Sequence, residues 1–561
     1  NADSPATVPT PAPAAIPDPA RSSAAVPAPT PAPAPAPAAV PAPAPAPTPA
    51  PAPAAVPDPA PAPAAVPDPD PVPAEPTVAA EPTVVIPADQ TPDPRPPERL
   101  SSPPPGIPRA PGDTRVALRA LVPGSTSAAV ELFGPDGRRA VVVRVDPAMR
   151  RGALGDADSA TMAAASRLAL EVRLPLVAVL STSGADVHAG LPALHGWGAA
   201  AKAMTAASGV VPILLAVVGP ALAGPALLLG IADIVVMSAD ALAYLSGPTM
   251  VAQMTGLELT PAQLGGTAVH SRSTGVAALA VATAGDAIDA LGEILSFLPD
   301  HTDDTAPLGP RHDPPDRPTP ELADLLPVKA TGSYDVRKVI EALADDGHLL
   351  ELRPAWAPQM VTALARVDGQ SVGVVANQPL AMAGTLDIAA AQKGARFVSF
   401  CDSFNLPIVT LVDTPGFMPG KDLEWRGMIR HGAQLVFAYA EASVPRVSLI
   451  LRKAYGGAYI VMDSKTMGND ICLAWPSAEV AVMGAEGAVQ ILHRGIDADE
   501  RSRRVDEYRE AYLNPYVAAE RGYVDRIIDP AETRSAVAAA LRMLASKQEK
   551  LHARKHGNTP L

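Results

Sequence analysis

The chain has 561 residues and a formal net charge of −14 at pH 7, which argues against nucleic acid or an anionic membrane surface as a partner. Its two cysteines are too few for a disulfide framework or a four-thiolate zinc site, and its ten histidines lack metal-ligand spacing, so we expect no metal. The most apolar stretch, residues 210–231, is broken by prolines and glycines. We therefore expect no membrane span, and a cytoplasmic protein.

The first 112 residues form a low-complexity tail rich in proline and alanine. The motif PAPAAVPDP occurs at residues 51–59 and again at 61–69, and PAPAAIPDP occurs at 11–19. Proline fixes the backbone angle φ and alanine offers little side chain to bury, so we expect residues 1–112 to be disordered and partly polyproline II. The tail could be a spacer, a ligand for a proline-reading partner or a plain solvated segment, and we favour the last.

From residue 113 the composition becomes globular, and several landmarks recur at a nearly constant distance. The matched pairs are residues 174–180 and 406–412, offset by 232, together with residues 211–215 and 444–448 and glycines Gly224 and Gly457, all offset by 233. Such an offset indicates an internal duplication. We therefore predict two similar α/β domains, at residues 113–310 and 328–552, with a Pro- and Asp-rich linker at 300–327 between them.

Individual elements follow from local patterns. A strand is predicted at residues 141–145, an alanine-rich helix at 160–172, and a final helix at 531–550 with lysines near its end. In the second domain, residues 447–451 have the β-branched, apolar character of a strand, which Arg452 and Lys453 are expected to interrupt.

The sequence Tyr455-Gly456-Gly457-Ala458-Tyr459 follows this strand and precedes a segment with helical spacing. A strand that turns through paired glycines into a helix leaves backbone N–H groups that can bind an anion, or an oxygen that becomes one during a reaction. The pattern alone fits a tight connection without a ligand equally well.

A longer stretch of the sequence favours a turn that binds a ligand over a tight connection without one. KAYGGAYxVM at 453–462 and AWPxAEVAVMGAEGAV at 474–489 resemble the carboxyltransferase (β) subunits of biotin-dependent acyl-CoA carboxylases of the acetyl/propionyl-CoA type. The resemblance continues upstream through VGVVANQP and KGARFVSFCDSFNLPIVTLVDTPGFMPG, and downstream through AAERGYVDRIIDPAETR to the terminal KHGNTPL. It implies two tandem crotonase-like domains of stacked sheet and helix.

The resemblance also implies roles for residues of the second domain. Family members transfer CO2 from carboxybiotin to the α-carbon of an acyl-CoA, and backbone oxyanion holes hold both enolates. Gly457 and Ala458 match the biotin-side hole, which Tyr455, Gly456 and Tyr459 shape. Ile460 matches a position that influences acyl selectivity, although a simple packing role is nearly as well supported. Gly416, in the turn after a core strand, is included among the residues that bind substrate or cofactor.

The first domain departs from the family pattern at its own turn. Relatives have Ala-Gly-Gly-Ala there, and this chain has Leu222-Ala223-Gly224-Pro225, so Ala223 and Gly224 are the candidates for the acyl-CoA hole. Pro225 removes an N–H at or just beyond that hole. Asp186 stands where relatives have arginine, so a contact made by that arginine is expected to be lost.

Two functions follow from this mixture. The first is a working carboxyltransferase subunit with a modified acyl-CoA pocket, acting on acetyl-CoA, propionyl-CoA or a longer acyl-CoA. The alternative is a non-catalytic or half-active β-like subunit that assembles with an intact paralogue. Other lyase or decarboxylase chemistry of crotonase-like proteins is a remoter possibility.

The resemblance further implies partners. An α-subunit would carry the biotin carboxylase and the biotin carrier, because no biotinyl Met-Lys-Met sequence occurs in this chain. ATP and bicarbonate would be used on that partner. The β subunits would form a homo- or hetero-hexamer of two stacked trimers, in a pathway of the malonyl-CoA or fatty-acid type.

Overall fold

The computed structural model describes residues 121–125, 138–327, 329, 332–547 and 549–560, and the backbone of a strand at 128–133. The tail expected at residues 1–112 lies outside the described residues.

The first half of the described chain forms a seven-stranded sheet. Its strands are β1 Ala128–Phe133, β2 Ala140–Val145, β3 Leu176–Thr182, β4 Ile213–Leu222, β5 Ile234–Ser238, β6 Leu242–Tyr244 and β7 Leu279–Val281. Their order is β1-β2-β3-β4-β5-β7, and β6 pairs with the end of β4. β1 is antiparallel to β2, and the other pairs are parallel. The strand predicted at residues 141–145 is confirmed as β2.

Seven helices accompany this sheet in the described part of the first half. They are α1 Asp156–Val172, α2 Leu191–Ala207, α3 Leu228–Ile231, α4 Pro248–Thr255, α5 Pro261–Gly265, α6 Thr267–Val269 and α7 Ala284–Ser296. α1 begins four residues before the predicted start at residue 160. The Asp158 carboxylate accepts a hydrogen bond from the Gly155 N–H at 3.0 Å and so caps the earlier turn.

The second half forms an eight-stranded sheet with the same central arrangement. Its strands are β8 Leu349–Leu352, β9 Met360–Val367, β10 Gln370–Asn377, β11 Ile408–Thr414, β12 Arg446–Tyr455, β13 Ile471–Ala474, β14 Glu479–Ala481 and β15 Arg526–Ile527. The order is β15-β13-β12-β11-β10-β9-β8, and β14 pairs with the end of β12. β9 is antiparallel to both β8 and β10, and the remaining pairs are parallel.

The helices of the second half are α8 Arg337–Leu343, α9 Ile388–Ser403, α10 Lys421–Trp425, α11 Met428–Glu441, α12 Gly456–Val461, α13 Ala485–Leu492, α14 Ala498–Tyr512, α15 Pro515–Glu520 and α16 Thr533–Met543. The helix predicted at 531–550 was too long at both ends. The chain leaves the helix direction after α16. Lys547 lies in this last segment, and its ammonium group donates to the Asp470 carboxylate at 2.9 Å. No helix within the described ranges combines the length and apolar character that crossing a bilayer requires.

The prediction that Arg452 and Lys453 interrupt their strand was wrong, because β12 continues through both residues to Tyr455. The Arg452 guanidinium donates to the Asp413 carboxylate at 3.0 Å, and the Lys453 N–H donates to the same carboxylate at 3.1 Å. Asp413 lies on the neighbouring strand β11, so the charged pair is satisfied inside the sheet.

The duplication extends to strand register. Leu176 of β3 faces Ile213 of β4, and 232 and 233 residues later Ile408 of β11 faces Arg446 of β12. The irregularity before Thr182 in the first sheet recurs before Thr414 in the second. The turns that follow β4 and β12 are therefore structurally equivalent positions of two related units.

Alternate side chains of the strands enter different apolar layers. Val141 and Val143 belong to a core cluster of the first half, whereas Val142 joins a cluster that also contains Ile408 and Ile450 of the second half. Helices and both sheets thus share apolar layers, and the predicted α/β class is confirmed.

Candidate active site

The turn between β12 and α12 leaves two backbone N–H groups outside the helix hydrogen bonding. Gly456 opens α12 with a left-handed φ of +59°. A Cβ there would lie 3.1 Å from the carbonyl oxygen of Val482, so both the conformation and the available space favour glycine. The N–H groups of Gly457 and Ala458 follow in the first helical turn, and the Tyr455 side chain does not cap them. Both N–H groups can therefore be offered to an oxyanion.

Two tyrosines flank this turn and are held as neutral phenols. The Tyr455 hydroxyl donates to the Glu479 carboxylate, and burial together with that carboxylate raises the pKa of Tyr455 above its usual range. Burial likewise raises the pKa of Tyr459, which is 7% exposed. Neither phenol is suited to act as a base, and the role predicted for both, shaping the turn, stays a prediction.

A cavity of about 560 Å³ opens beside the turn. Gly457 and Ile460 form one side of it, and Tyr508, Tyr512 and Tyr523 belong to its lining. Ile460 is 40% exposed and faces this space instead of packing fully into the core. The cavity is mostly apolar with a few polar groups, which is typical of a small-molecule site.

The end of β12 is fixed by contacts that local sequence patterns did not reveal. The Arg452 guanidinium also donates to the carbonyl oxygen of Gly332 at 2.7 Å and lies 5.3 Å from the centre of the Tyr334 ring. Burial raises the pKa of Asp413, against the opposing effect of Arg452. These groups come from distant parts of the sequence, and together they hold the last residues of β12 against β11.

Gly416 lies in the loop that follows β11, close to the same turn. It has a φ of +146°, and its carbonyl oxygen accepts from the Leu386 N–H at 3.1 Å. The next residue, Phe417, has a ring atom 3.7 Å from the position that a Cβ at Gly457 would take. The structure therefore brings Gly416 into the neighbourhood of the Gly457 turn. Phe417 contacts this turn and was not among the residues singled out from the sequence.

The equivalent turn of the first half has different donors. Ala223 follows β4 with φ of +58°, matching Gly456, and its N–H donates to the carbonyl oxygen of Tyr244 at 3.0 Å. The Ala223 N–H is thus already engaged. Gly224 comes next in the chain, and Pro225, which corresponds to Ala458, has no N–H.

The charge reversal at Asp186 is compensated within the chain. Arg150 reaches across from the loop after β2 and forms ion pairs with Asp186 and with Asp158, the second at 2.9 Å. Both carboxylates are almost fully buried. An arginine therefore still lies beside residue 186, although it comes from a different position in the sequence.

Among the described residues, no group of three or more His, Cys, Asp or Glu side chains is placed to hold a metal ion. The chemistry available at these turns is that of backbone donors, neutral phenols and apolar walls.

Comparisons with known proteins agree with this geometry. The carboxyl transferase domain family matches residues 134–559. The carboxyltransferase subunit of propionyl-CoA carboxylase from Haloferax mediterranei is 43% identical over 417 residues, covering 73% of this chain and 81% of that protein. The methylmalonyl-CoA carboxyltransferase 12S subunit of Propionibacterium freudenreichii is 42% identical over 417 residues, covering 73% and 79%.

Solved structures give the same result. Transcarboxylase 12S with methylmalonyl-coenzyme A and methylmalonic acid bound superposes with a TM-score of 0.76 at 39% identity, covering 78% of this chain and 85% of that one. The two duplicated sheets with their glycine turns thus define a crotonase-like carboxyltransferase. The chain belongs to the carboxyl transferase domain family, as a carboxyltransferase β subunit of the biotin-dependent acyl-CoA carboxylase type.

Proposed function

We propose that this chain transfers a carboxyl group from carboxybiotin, carried on a partner subunit, to the α-carbon of a short-chain acyl-CoA. The observation that carries the proposal is the pair of uncapped N–H groups at Gly457 and Ala458 beside the 560 Å³ cavity. Propionyl-CoA is the first substrate to test, because relatives at 43% and 44% identity are named for it. Acetyl-CoA and longer acyl-CoAs are the comparison substrates.

The space beside the second-half turn supports binding of the biotin ring there. Outside its own helix, the described atom nearest to a Cβ position at Gly457 belongs to Phe417 at 3.7 Å, and the cavity of about 560 Å³ opens beside the same residue. When bound there, carboxybiotin supplies the carboxyl carbon: its bond to the ureido nitrogen breaks, a C–C bond forms at the acyl α-carbon, and the α-proton ends on that nitrogen. Gly457 and Ala458 would donate to the ureido oxygen and hold its negative charge.

The acyl group would be accepted at the first-half turn, with Gly224 donating to its thioester oxygen. Ile460, exposed at the cavity rim, would contact the acyl chain and influence its preferred length. ATP and bicarbonate would be used by the partner α-subunit, which carries the biotin.

The proposed assembly is a hexamer of β subunits with biotin-carrying partners. Support comes from the related transcarboxylase 12S, whose solved structure shows hexamer assembly and substrate binding to a multienzyme core. The division into domains at residues 113–310 and 328–552, and the cytoplasmic location, belong to the same proposal.

A second candidate, a half-active subunit that assembles with an intact paralogue, is favoured by one observation. The first-half turn has Pro225 in the place of a donor, and the Ala223 N–H is engaged by Tyr244. Such a subunit would supply a biotin-side turn to a mixed assembly and would carry out no transfer by itself.

The test is incorporation of labelled bicarbonate into acetyl-, propionyl- and longer acyl-CoAs by the purified chain with a biotinylated α-subunit. Transfer should occur, and Ala458→Pro, which removes one N–H, should lower kcat by ~10²–10³-fold. Ala458→Gly keeps that N–H and is the matched comparison, which should lose much less. Absence of transfer by the wild-type chain, restored on adding an intact β subunit, would instead support the half-active candidate.

A further inference from the structure

The two equivalent turns differ in the number of backbone donors that they can offer. β4 and β12 are both ten residues long, pair in the same register, and are followed by residues with φ of +58° and +59°. In the second half the next two residues, Gly457 and Ala458, each have a free N–H. In the first half the next two are Gly224 and Pro225, so the backbone provides a single N–H.

A side chain of the first half lies against Gly224, the residue that precedes Pro225 in the chain. The indole of Trp197, on α2, lies edge-on against Gly224: its Nε1 is 2.8 Å and its Cε2 2.6 Å from the position that a Cβ at Gly224 would take. Any residue other than glycine at 224 would therefore collide with the nitrogen-bearing edge of the ring. At the corresponding second-half glycine, Gly457, the nearest described atom outside its own helix is a Phe417 ring carbon, 3.7 Å from the Cβ position.

The helix that carries Trp197 packs on its neighbour, and the indole N–H has no acceptor among the described residues. α2 packs closely on α1, as the small space at Gly196 shows: a Cβ there would lie 2.8 Å from the Cβ of Ser159. The ring itself is only partly buried. Within the part of the chain that the structure describes, its Nε1–H has no hydrogen-bond acceptor. An indole N–H can only donate, so this group remains available to an acceptor that arrives at the turn.

We propose that the indole N–H of Trp197 is the second donor of the first-half oxyanion hole and substitutes for the N–H that Pro225 lacks. This inference rests on the proposed carboxyl transfer, in which the thioester oxygen gains negative charge as the α-proton leaves. Gly224 and Trp197 together would hold that oxygen, one through the backbone and the other through a side chain.

The experiment is a set of four variants in the carboxyl-transfer assay with a biotinylated α-subunit. Trp197→Phe keeps the ring and removes the N–H, and it should lower kcat by ~10²-fold with a much smaller change in KM for the acyl-CoA. Pro225→Ala restores the backbone N–H, and the double variant Pro225→Ala/Trp197→Phe should recover most of the lost rate.

Trp197→His is the fourth variant and separates donation from packing. Imidazole keeps a ring N–H but fills less space, so a hydrogen-bonding role predicts that Trp197→His is faster than Trp197→Phe. A packing role predicts the reverse order. Thermal unfolding of each variant confirms that the rates belong to folded protein.

The outcomes distinguish the two levels of the proposal. If the wild-type chain transfers carboxyl groups and Trp197→Phe does so at the same rate, the role of Trp197 is overturned while the proposed function stands. Failure of Pro225→Ala to rescue folded Trp197→Phe would also overturn it. A wild-type chain without transfer overturns both.

Discussion

Gly456→Ala tests whether the backbone of the second-half turn places the donors. Gly456 has φ of +59°, where a residue with a Cβ is strained by about 1–3 kcal/mol. The new methyl group would also lie 3.1 Å from the carbonyl oxygen of Val482 on the neighbouring segment. Both effects oppose the native turn, so we expect the free energy of unfolding to fall by about 1–3 kcal/mol.

The same substitution should reduce transfer, because relief of the strain rotates the peptide groups that carry the Gly457 and Ala458 N–H groups. A displacement near 1 Å at a catalytic group can lower a rate by ~10²-fold, and we expect a loss of kcat of roughly that size. Urea denaturation of the purified chain measures the first effect, and labelled-bicarbonate transfer measures the second.

Gly457→Ala is the matched control for stability. Gly457 has no left-handed φ, and its new methyl group would meet only Phe417, at an ordinary 3.7 Å, as far as the described residues go. Its stability should therefore be unchanged or slightly higher, since alanine is favoured over glycine in a helix. Equal stability of the Gly456→Ala and Gly457→Ala variants would refute the claim that the conformation at 456 requires glycine.

Three further predictions concern charge and substrate. Arg452→Met leaves the Asp413 carboxylate buried without its partner and should cost about 3–5 kcal/mol in urea denaturation, whereas a loss below about 1 kcal/mol would show that the pair is dispensable. Burial raises the pKa of Asp233 from 3.8 to about 6, so the stabilising effect of its protonated form is complete below pH 3.8 and is lost as the pH rises through about 6. The free energy of unfolding of the wild-type chain minus that of Asp233→Asn should therefore fall by ~3 kcal/mol between pH 3.5 and 7. A difference that does not change with pH would contradict the raised pKa of Asp233. Ile460→Asp places a charge at the rim of the cavity and should change the ratio of kcat/KM values across an acyl-CoA series by ~10-fold or more, while unaltered ratios would remove Ile460 from the acyl site.

Sequence reasoning succeeded where the relevant interactions are local or repeated. Apolar runs of strand length predicted β2 and the start of β12, and the offset of 232 to 233 residues anticipated the matching registers of the two sheets. The paired glycines at 456 and 457 predicted a turn with exposed N–H groups, and at Gly456 the positive φ and the close Val482 carbonyl oxygen account for the glycine.

The failures have a shared physical cause, which is that the partner of a residue lies far away in the sequence. Arg452 was predicted to interrupt its strand because the groups that satisfy its charge inside the sheet cannot be seen locally. These partners, Asp413 and Gly332, are 39 and 120 residues away. The compensation of Asp186 by Arg150 also required the folded chain, since the two residues are 36 positions apart. The engagement of Ala223 by Tyr244 depends on the pairing of β6 with β4.

The comparison of the two turns indicates how their functions can diverge while the fold is kept. Ala223 and Gly456 have nearly the same φ although only one of them is glycine, so the strand registers impose the conformation of the turn more strongly than the residue at its centre. The donors, by contrast, depend on single residues beyond that point, and Pro225 removes one of them without altering the strands. A change of this kind is local, and under our proposal the neighbouring Trp197 side chain compensates for it. If that proposal holds, loss of a backbone donor does not by itself make such a chain inactive, and the environment of the turn has to be considered together with its sequence.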